Sequence, residues 1–175
     1  MDIQIRQETR ADMETIENVI AEAFQKEEMS DQTEHELVKR IRQSETYIPE
    51  LALSAFLNGT IAGHIMLSRI DIEQTDQTRI PSLALAPVSV LPELQGRGIG
   101  SALIHDALQR AASAGYPSVI VLGHPGYYPR FGFQPASGFG VRAPFDVPDE
   151  ALMAMELEPG TLQSGTIRYP AAFQL

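Results

Sequence analysis

Apolar and polar positions change their spacing several times along this chain, and each change marks an element. Ile3 and Ile5 alternate with polar neighbours, which predicts a short strand. From Ala11 to Phe24 the apolar positions Met13, Ile16, Ile20, Ala23 and Phe24 fall on one helical face, with Thr9 or Asp12 as the cap. Ser30 to Thr33 breaks that pattern, and Leu37, Val38 and Ile41 predict a second, shorter helix through Gln43. Two apolar runs follow, Leu51 to Leu57 and Ile61 to Ile70. They are separated by Asn58-Gly59-Thr60, a strong hairpin signal. His64 lies in the second run and reads as a core or sheet-face histidine.

Asp71 to Arg79 is polar and predicts a loop; a further strand is expected from Leu83 to Val90. Pro87 sits inside it. Proline donates no ladder hydrogen bond, so this position predicts an edge or a bulge. Ile99, Leu103, Ala107 and Ala111 then repeat at helical spacing, with Gly115 placed to end the helix. Ser118 to Leu122 reads as a buried parallel-type strand. Tyr127 to Phe131 has room for one helical turn, and Pro135 to Pro148 is expected to be a long loop. Leu152 to Leu157 and Thr166 to Tyr169 predict closing strands.

Between the strand ending at Val90 and the helix lies Gln95-Gly96-Arg97-Gly98-Ile99-Gly100, with glycines on alternate positions. A helix start carries unpaired N–H groups and partial positive charge, and glycines let a ligand reach those groups unobstructed. Strand, glycine turn and helix together predict an anion site for phosphate or pyrophosphate. The chain has no Gly-Lys-Ser/Thr, so a Walker loop is excluded. G-x-G-x-G is not the dinucleotide fingerprint, and Ser118 to Leu122 stands where that fingerprint needs an acid.

Composition narrows the picture. A length of 175 residues suits one domain over residues 1–175. The formal net charge of −10 disfavours general nucleic-acid binding and favours cationic or amine ligands. No apolar run is long enough to span a membrane, and the N-terminus lacks signal-peptide character, so a cytoplasmic location is expected. There are no cysteines, which removes thiolate nucleophiles and thiolate metal sites. No metal is expected.

The run Val88 to Leu103 resembles the acyl-CoA motif of the GCN5-related N-acetyltransferases, Q/R-x-x-G-x-G/A, with Gln95, Gly98 and Gly100 at its defining positions. Tyr127 to Phe133 resembles that family's second signature, Tyr-x-x-x-Gly-Phe. The phrases GHIMLS, LAPVSVLPE and RFGF are similar to a YhbS-like subgroup. The resemblance implies an α/β fold: a mixed, largely antiparallel sheet with a central parallel pair, strands four and five, and helices on both faces. It implies that those two strands splay to admit acetyl-CoA, which pairs with backbone at Val88, Ser89 and Val90. It also implies that Gln95, Gly96, Arg97, Gly98, Ile99, Gly100 and Ser101 surround the pyrophosphate. Arg97 is either a phosphate contact or a surface arginine. Tyr127 becomes a pocket wall. Arg130 binds cofactor phosphate or an acidic group of the acceptor, or makes a surface ion pair.

Moving an acyl group from a thioester to an amine requires a neutral amine, a donor for the developing oxyanion and a proton for the departing sulfur. The N–H of Val88 or Val90 suits the oxyanion, and the resemblance implies Tyr128 as the acid. For the base, Glu34 is placed first, ahead of Glu28, Glu93 and His124; water is the remaining option. Without cysteine, direct attack in a ternary complex is preferred. The expected acceptor is a small-molecule or peptide amine, and the expected state a monomer or homodimer. A non-catalytic acyl-CoA-binding sensor or regulatory module is the rival reading.

Overall fold

A computed structural model describes residues 2–28 and 30–174. β1 (Ile3–Gln7) leads into α1 (Met13–Phe24) and α2 (Glu34–Arg42). Three long-range partners follow in a meander, β2 (Ala52–Leu57), β3 (Thr60–Glu73) and β4 (Arg79–Val90). α3 (Ile99–Ser113) then crosses to β5 (Ser118–Leu122). The remainder holds β6 (Gln134–Pro135), β7 (Val141–Arg142), β8 (Leu152–Glu156) and β9 (Gly165–Arg168). The strands form one sheet in the order β1-β2-β3-β4-β5-β8-β6, with β9 joining β3 to β7.

Neighbouring strands run antiparallel except at β4/β5 and β7/β9. The Asn58-Gly59 hairpin forms, with φ of 52° and 78° at those residues, the left-handed pair a tight hairpin requires. α3 buries Ile99, Leu103, Ile104, Ala107, Leu108 and Ala111 against Leu53, Ile65, Leu67 and Leu83 on one face of the sheet. Ile16, Ile20, Val38 and Ile41 of α1 and α2 cover Ala52, Phe56 and Met66 on the other.

The polar stretch Asp71 to Arg79, expected as a loop, is mostly strand. β3 and β4 stay paired out to Glu73↔Arg79, and only Gln74 to Thr78 turns. Ile72 is fully buried among Ile70, Val141 and Ile167, while Asp71, Glu73 and Arg79 are half-buried or exposed, so a single apolar residue carries the strand alternation here. Pairing of Asp71, Ile72 and Glu73 with β9 adds backbone order. At α1 neither expected cap bonds the backbone. The Thr9 hydroxyl instead donates to the Asp12 carboxylate at 2.7 Å. The Pro135 to Pro148 segment contains the two short strands β6 and β7 rather than loop alone.

A buried ionic cluster ties β1, α2 and β3 together. Glu8, just past β1, accepts from Arg42 Nη2 at 2.8 Å and Nε at 3.0 Å, and from the Tyr47 hydroxyl at 2.5 Å. Nε2 of His64, fully buried in β3, lies 2.8 Å from the same carboxylate. Burial by itself would raise the Glu8 pKa, but the bonds from His64, Arg42 and Tyr47 hold it at about 2. Burial pushes His64 below its ordinary value, so at neutral pH it is uncharged and donates its Nε2–H to Glu8.

Candidate active site

The site begins with a strand that loses its partner. β4 and β5 pair only at Leu83↔Val119 and Ala84↔Ile120. Beyond Ala84, β4 gains an extra residue against β3, between Leu67↔Leu85 and Ile65↔Val88, and this bulge contains Ala86 and Pro87. The bulge expected from Pro87 is therefore present, and a gap opens beside it.

Which backbone groups face the gap follows from the ladder. The Leu91 N–H donates to Ala62 O at 2.9 Å. Alternation along an antiparallel pair then turns the N–H and C=O of Ser89 toward His64 on β3, and those of Val88 and Val90 toward the open side. The Gln95 amide sits on that side and donates to Val90 O at 3.1 Å. Of the three residues expected to pair with a ligand, Val88 and Val90 thus present backbone polar groups to the gap. Ser89 is buried with its hydroxyl directed at His64 O.

The glycine turn closes one end. Gly96 and Gly98 have φ of +78° and +84°, which side chains rarely tolerate, and nothing lies within 4 Å of where a Cβ would project. Gly98 caps α3, whose first turn carries no acidic residue. The N–H groups of Ile99, Gly100 and Ser101 have no partner within the helix and open onto the gap.

Val88, Ser89, Val90, Gln95, Gly96, Gly98, Ile99, Gly100, Ser101, Tyr127 and Arg130 line a cavity of about 520 Å³. Of the residues expected around the cofactor, Arg97 alone is exposed and outside that lining. The Tyr127 hydroxyl comes within 3.3 Å of a Cβ placed on Gly100, so this ring walls the helix start. The Arg130 guanidinium stacks on the Tyr127 ring at 4.7 Å and bonds Tyr127 O at 3.0 Å, an internal strut and not an ion pair.

A second cavity of about 620 Å³ adjoins the first; Phe24, Glu27 and Val88 line both. Tyr128 and Glu34 both face it. Tyr128 is 8% exposed, and its hydroxyl has no hydrogen-bond partner among the described residues. Burial, with a smaller contribution from Tyr127, pushes its phenol up to about 12, so it keeps its proton at neutral pH. The ring is fixed by edge contacts with Tyr127 and Phe133 at 5.2 and 5.8 Å. Its edge also abuts Gly123, where an added Cβ would meet Tyr128 Cε2 at 2.4 Å. Glu34 opens α2 and accepts from the Ser30 hydroxyl at 2.6–2.7 Å. Of the other bases considered, exposed His124 lines this cavity, while Glu28 and Glu93 do not.

The acetyltransferase (GNAT) domain family model matches residues 4–136. The chain belongs to the GNAT acetyltransferase family. It is 35% identical over 135 residues to the uncharacterized N-acetyltransferase YjhQ of Escherichia coli K12, covering 77% of this chain and 74% of YjhQ. A GNAT acetyltransferase from Brucella melitensis, solved in complex with acetyl-CoA, shares 31% identity with a TM-score of 0.82, covering 98% of each chain. YhbS from Escherichia coli, solved with CoA, superposes with a TM-score of 0.87 at 24% identity, covering 99% of this chain and 92% of YhbS.

Within this GNAT frame, several lining residues escaped sequence reasoning. Glu27 stands where the two cavities meet, yet in sequence it is one acid among many. Phe145, Tyr169 and Phe173 come from loops and termini distant in the chain and converge on the second cavity. No spacing rule links them. Gly123 carried a weak signal, a glycine directly after a buried strand. Among the described residues no three His, Cys, Asp or Glu side chains are grouped to hold a metal ion, and no helix is long and apolar enough to cross a membrane.

Proposed function

We propose that this GNAT acetyltransferase moves the acetyl group of acetyl-CoA to an amine by direct attack in a ternary complex. The observation that carries this reading is the meeting of two cavities at Val88, on the bulged strand: one is lined by the glycine-capped helix start, the other by an unpartnered buried phenol. The first fits acyl-CoA. The N–H groups of Ile99, Gly100 and Ser101 suit its pyrophosphate, and the free edge of Val88 and Val90 suits its amide-bearing arm.

In the reaction the amine nitrogen bonds to the acyl carbon and the carbon–sulfur bond breaks. The N–H of Val88 or Val90 meets the carbonyl oxygen as negative charge develops. The sulfur leaves with a proton from the Tyr128 hydroxyl. Glu34, or water, receives the proton that the amine gives up. A carboxylate beside the acceptor also holds the substrate cation before it loses that proton.

The test follows thiol release from acetyl-CoA with a panel of amines, alongside the melting temperature with and without acetyl-CoA. Ligand binding to the folded state alone raises that temperature. Release with at least one amine supports transfer. A melting shift without release for any amine moves the protein to the sensor reading, and neither signal removes acyl-CoA altogether. Glu34→Gln should lower turnover or raise the amine KM about tenfold or more, below the roughly 10²–10⁴ of an unaided acid–base group because water can serve in its place, while leaving the acetyl-CoA shift in place. A wild-type pH profile in that variant takes Glu34 out of the site.

A further inference from the structure

The second cavity is strongly one-sided. Its carboxylates, Glu27, Asp31, Glu34 and Glu36, all come from the segment leaving α1 and entering α2. Asp31 is occupied by Thr33, and Glu34 by Ser30. The Glu27 carboxylate makes no hydrogen bond or ion pair among the described residues, and the residue is exposed. It also lies at the junction with the first cavity, where the attacking nitrogen must arrive. The lone cationic side chain of the lining, Arg40, is tied down by a 2.7 Å bond from its Nε to Ala172 O.

The same lining also carries an apolar, largely aromatic group, Leu122, Phe145, Tyr169 and Phe173, with Phe145 stacked on Tyr169 at 6.1 Å and 23°. Leu122 and Phe145 are 47% and 37% exposed, and they are the large apolar side chains left open to solvent among the described residues. Both line this one cavity, and a concave site lined by apolar and aromatic side chains with a few polar groups suits a small ligand. Its volume suits a small molecule, since such sites run to roughly 300–1,000 Å³.

Resting on the reading of the chain as an acetyltransferase, we propose that the acceptor is a small primary amine on an aromatic or bulky apolar body. Its nitrogen sits at Glu27 beside Val88, and its body lies against Phe145, Tyr169 and Leu122. An aliphatic polyamine would leave the exposed apolar surface of Leu122 and Phe145 without a partner, so it gains less from this lining. An α-amino acid would bring its carboxylate among Glu27, Glu34 and Glu36, and like charge disfavours it.

The experiment compares 2-phenylethylamine, putrescine, spermidine and L-phenylalanine as acceptors, by thiol release from acetyl-CoA. The expected kcat/KM for 2-phenylethylamine exceeds each of the others by about tenfold or more, the equivalent of one modest apolar contact. Phe145→Ser and Glu27→Gln should each raise its KM about tenfold while the acetyl-CoA melting shift stays intact, which also shows that the variants fold. Preference for spermidine, putrescine or L-phenylalanine overturns the proposal, as does an unchanged KM in Phe145→Ser. If no amine is turned over, calorimetry of 2-phenylethylamine on the CoA-saturated protein decides. Binding weakened by Phe145→Ser supports the apolar amine site, and absence of binding overturns it. Failure of the transferase reading itself looks different: no acetyl-CoA melting shift and no thiol release.

Discussion

At the scale of single residues, Tyr128 carries the sharpest expectation. Its ring is locked by Tyr127, Phe133 and Gly123, so Tyr128→Phe removes an oxygen and keeps the packing. General acid catalysis is worth about 10²–10⁴ in rate, and water substitutes for part of it, so kcat should fall by about 10²–10³. Stability should move by no more than about 1 kcal/mol, and acetyl-CoA affinity little. Full kcat in this variant, with chemistry limiting, would sink the acid assignment. The pH profile gives a second check. A phenol held at about 12 is protonated across the working range, so Tyr128 should add no loss of rate on the alkaline side below about that pH. An alkaline limb near pH 8 that vanishes in Tyr128→Phe would contradict this. Gly123→Ala tests the ring's placement. Its Cβ would meet Tyr128 Cε2 at 2.4 Å, and displacing the ring should cost about 1–3 kcal/mol of stability, as overpacking does. kcat should drop with the acetyl-CoA melting shift retained. An unaltered kcat would show that the position of the phenol is not critical.

At the scale of elements, the glycine turn and α3 act as one unit. Gly98 holds φ at +84° at the cap, and a side chain there projects into open space beside the helix start. Gly98→Glu adds backbone strain of about 1–2 kcal/mol and places a carboxylate where pyrophosphate is expected. The acetyl-CoA melting shift should disappear while the variant remains folded by circular dichroism. A preserved shift would locate the pyrophosphate elsewhere. The neighbouring element, β4, works by default: the bulge at Ala86-Pro87 withdraws it from β5, so the backbone groups of Val88 and the Val90 N–H stay free along one edge, while Val90 O is taken by the Gln95 amide.

At the scale of the molecule, the Glu8, Arg42, His64 and Tyr47 cluster links the end of β1 and α2 to the sheet. Its acid sensitivity has a definite sign. Glu8 sits at about 2 in the folded chain against 4.5 in the unfolded one, so its stabilisation is present above about 4.5 and is lost as pH falls toward 2. His64 is held below its unfolded value of 6.5, so the unfolded chain gains a proton first as pH drops through that value, which also favours unfolding. Both groups therefore act in the same direction. Urea unfolding should show stability falling from pH 7 toward pH 3, with Glu8 contributing on the order of 2 kcal/mol over that range. A flat profile across that range would show that the cluster is not closed in solution.

Much of this was legible in the chain itself. The strand alternation, the Asn58-Gly59 hairpin, the glycine-capped α3 and the bulge at Pro87 are local properties: φ preference, hydrogen-bond capacity and apolar period act within a few residues. Those properties marked the residues of the glycine turn, and the family's two motifs marked Tyr128. Glu27, Phe145, Tyr169 and Phe173 had no such mark, because their meeting depends on how the loops pack over β4 and β5. The role of His64 likewise came from a partner far away in the chain, Glu8, whose burial a list of acids does not show. Local sequence properties sufficed for the elements and for the glycine turn proposed to hold an anion. The lining of the second cavity follows from packing, because a cavity is the space left between segments, and no one segment encodes it.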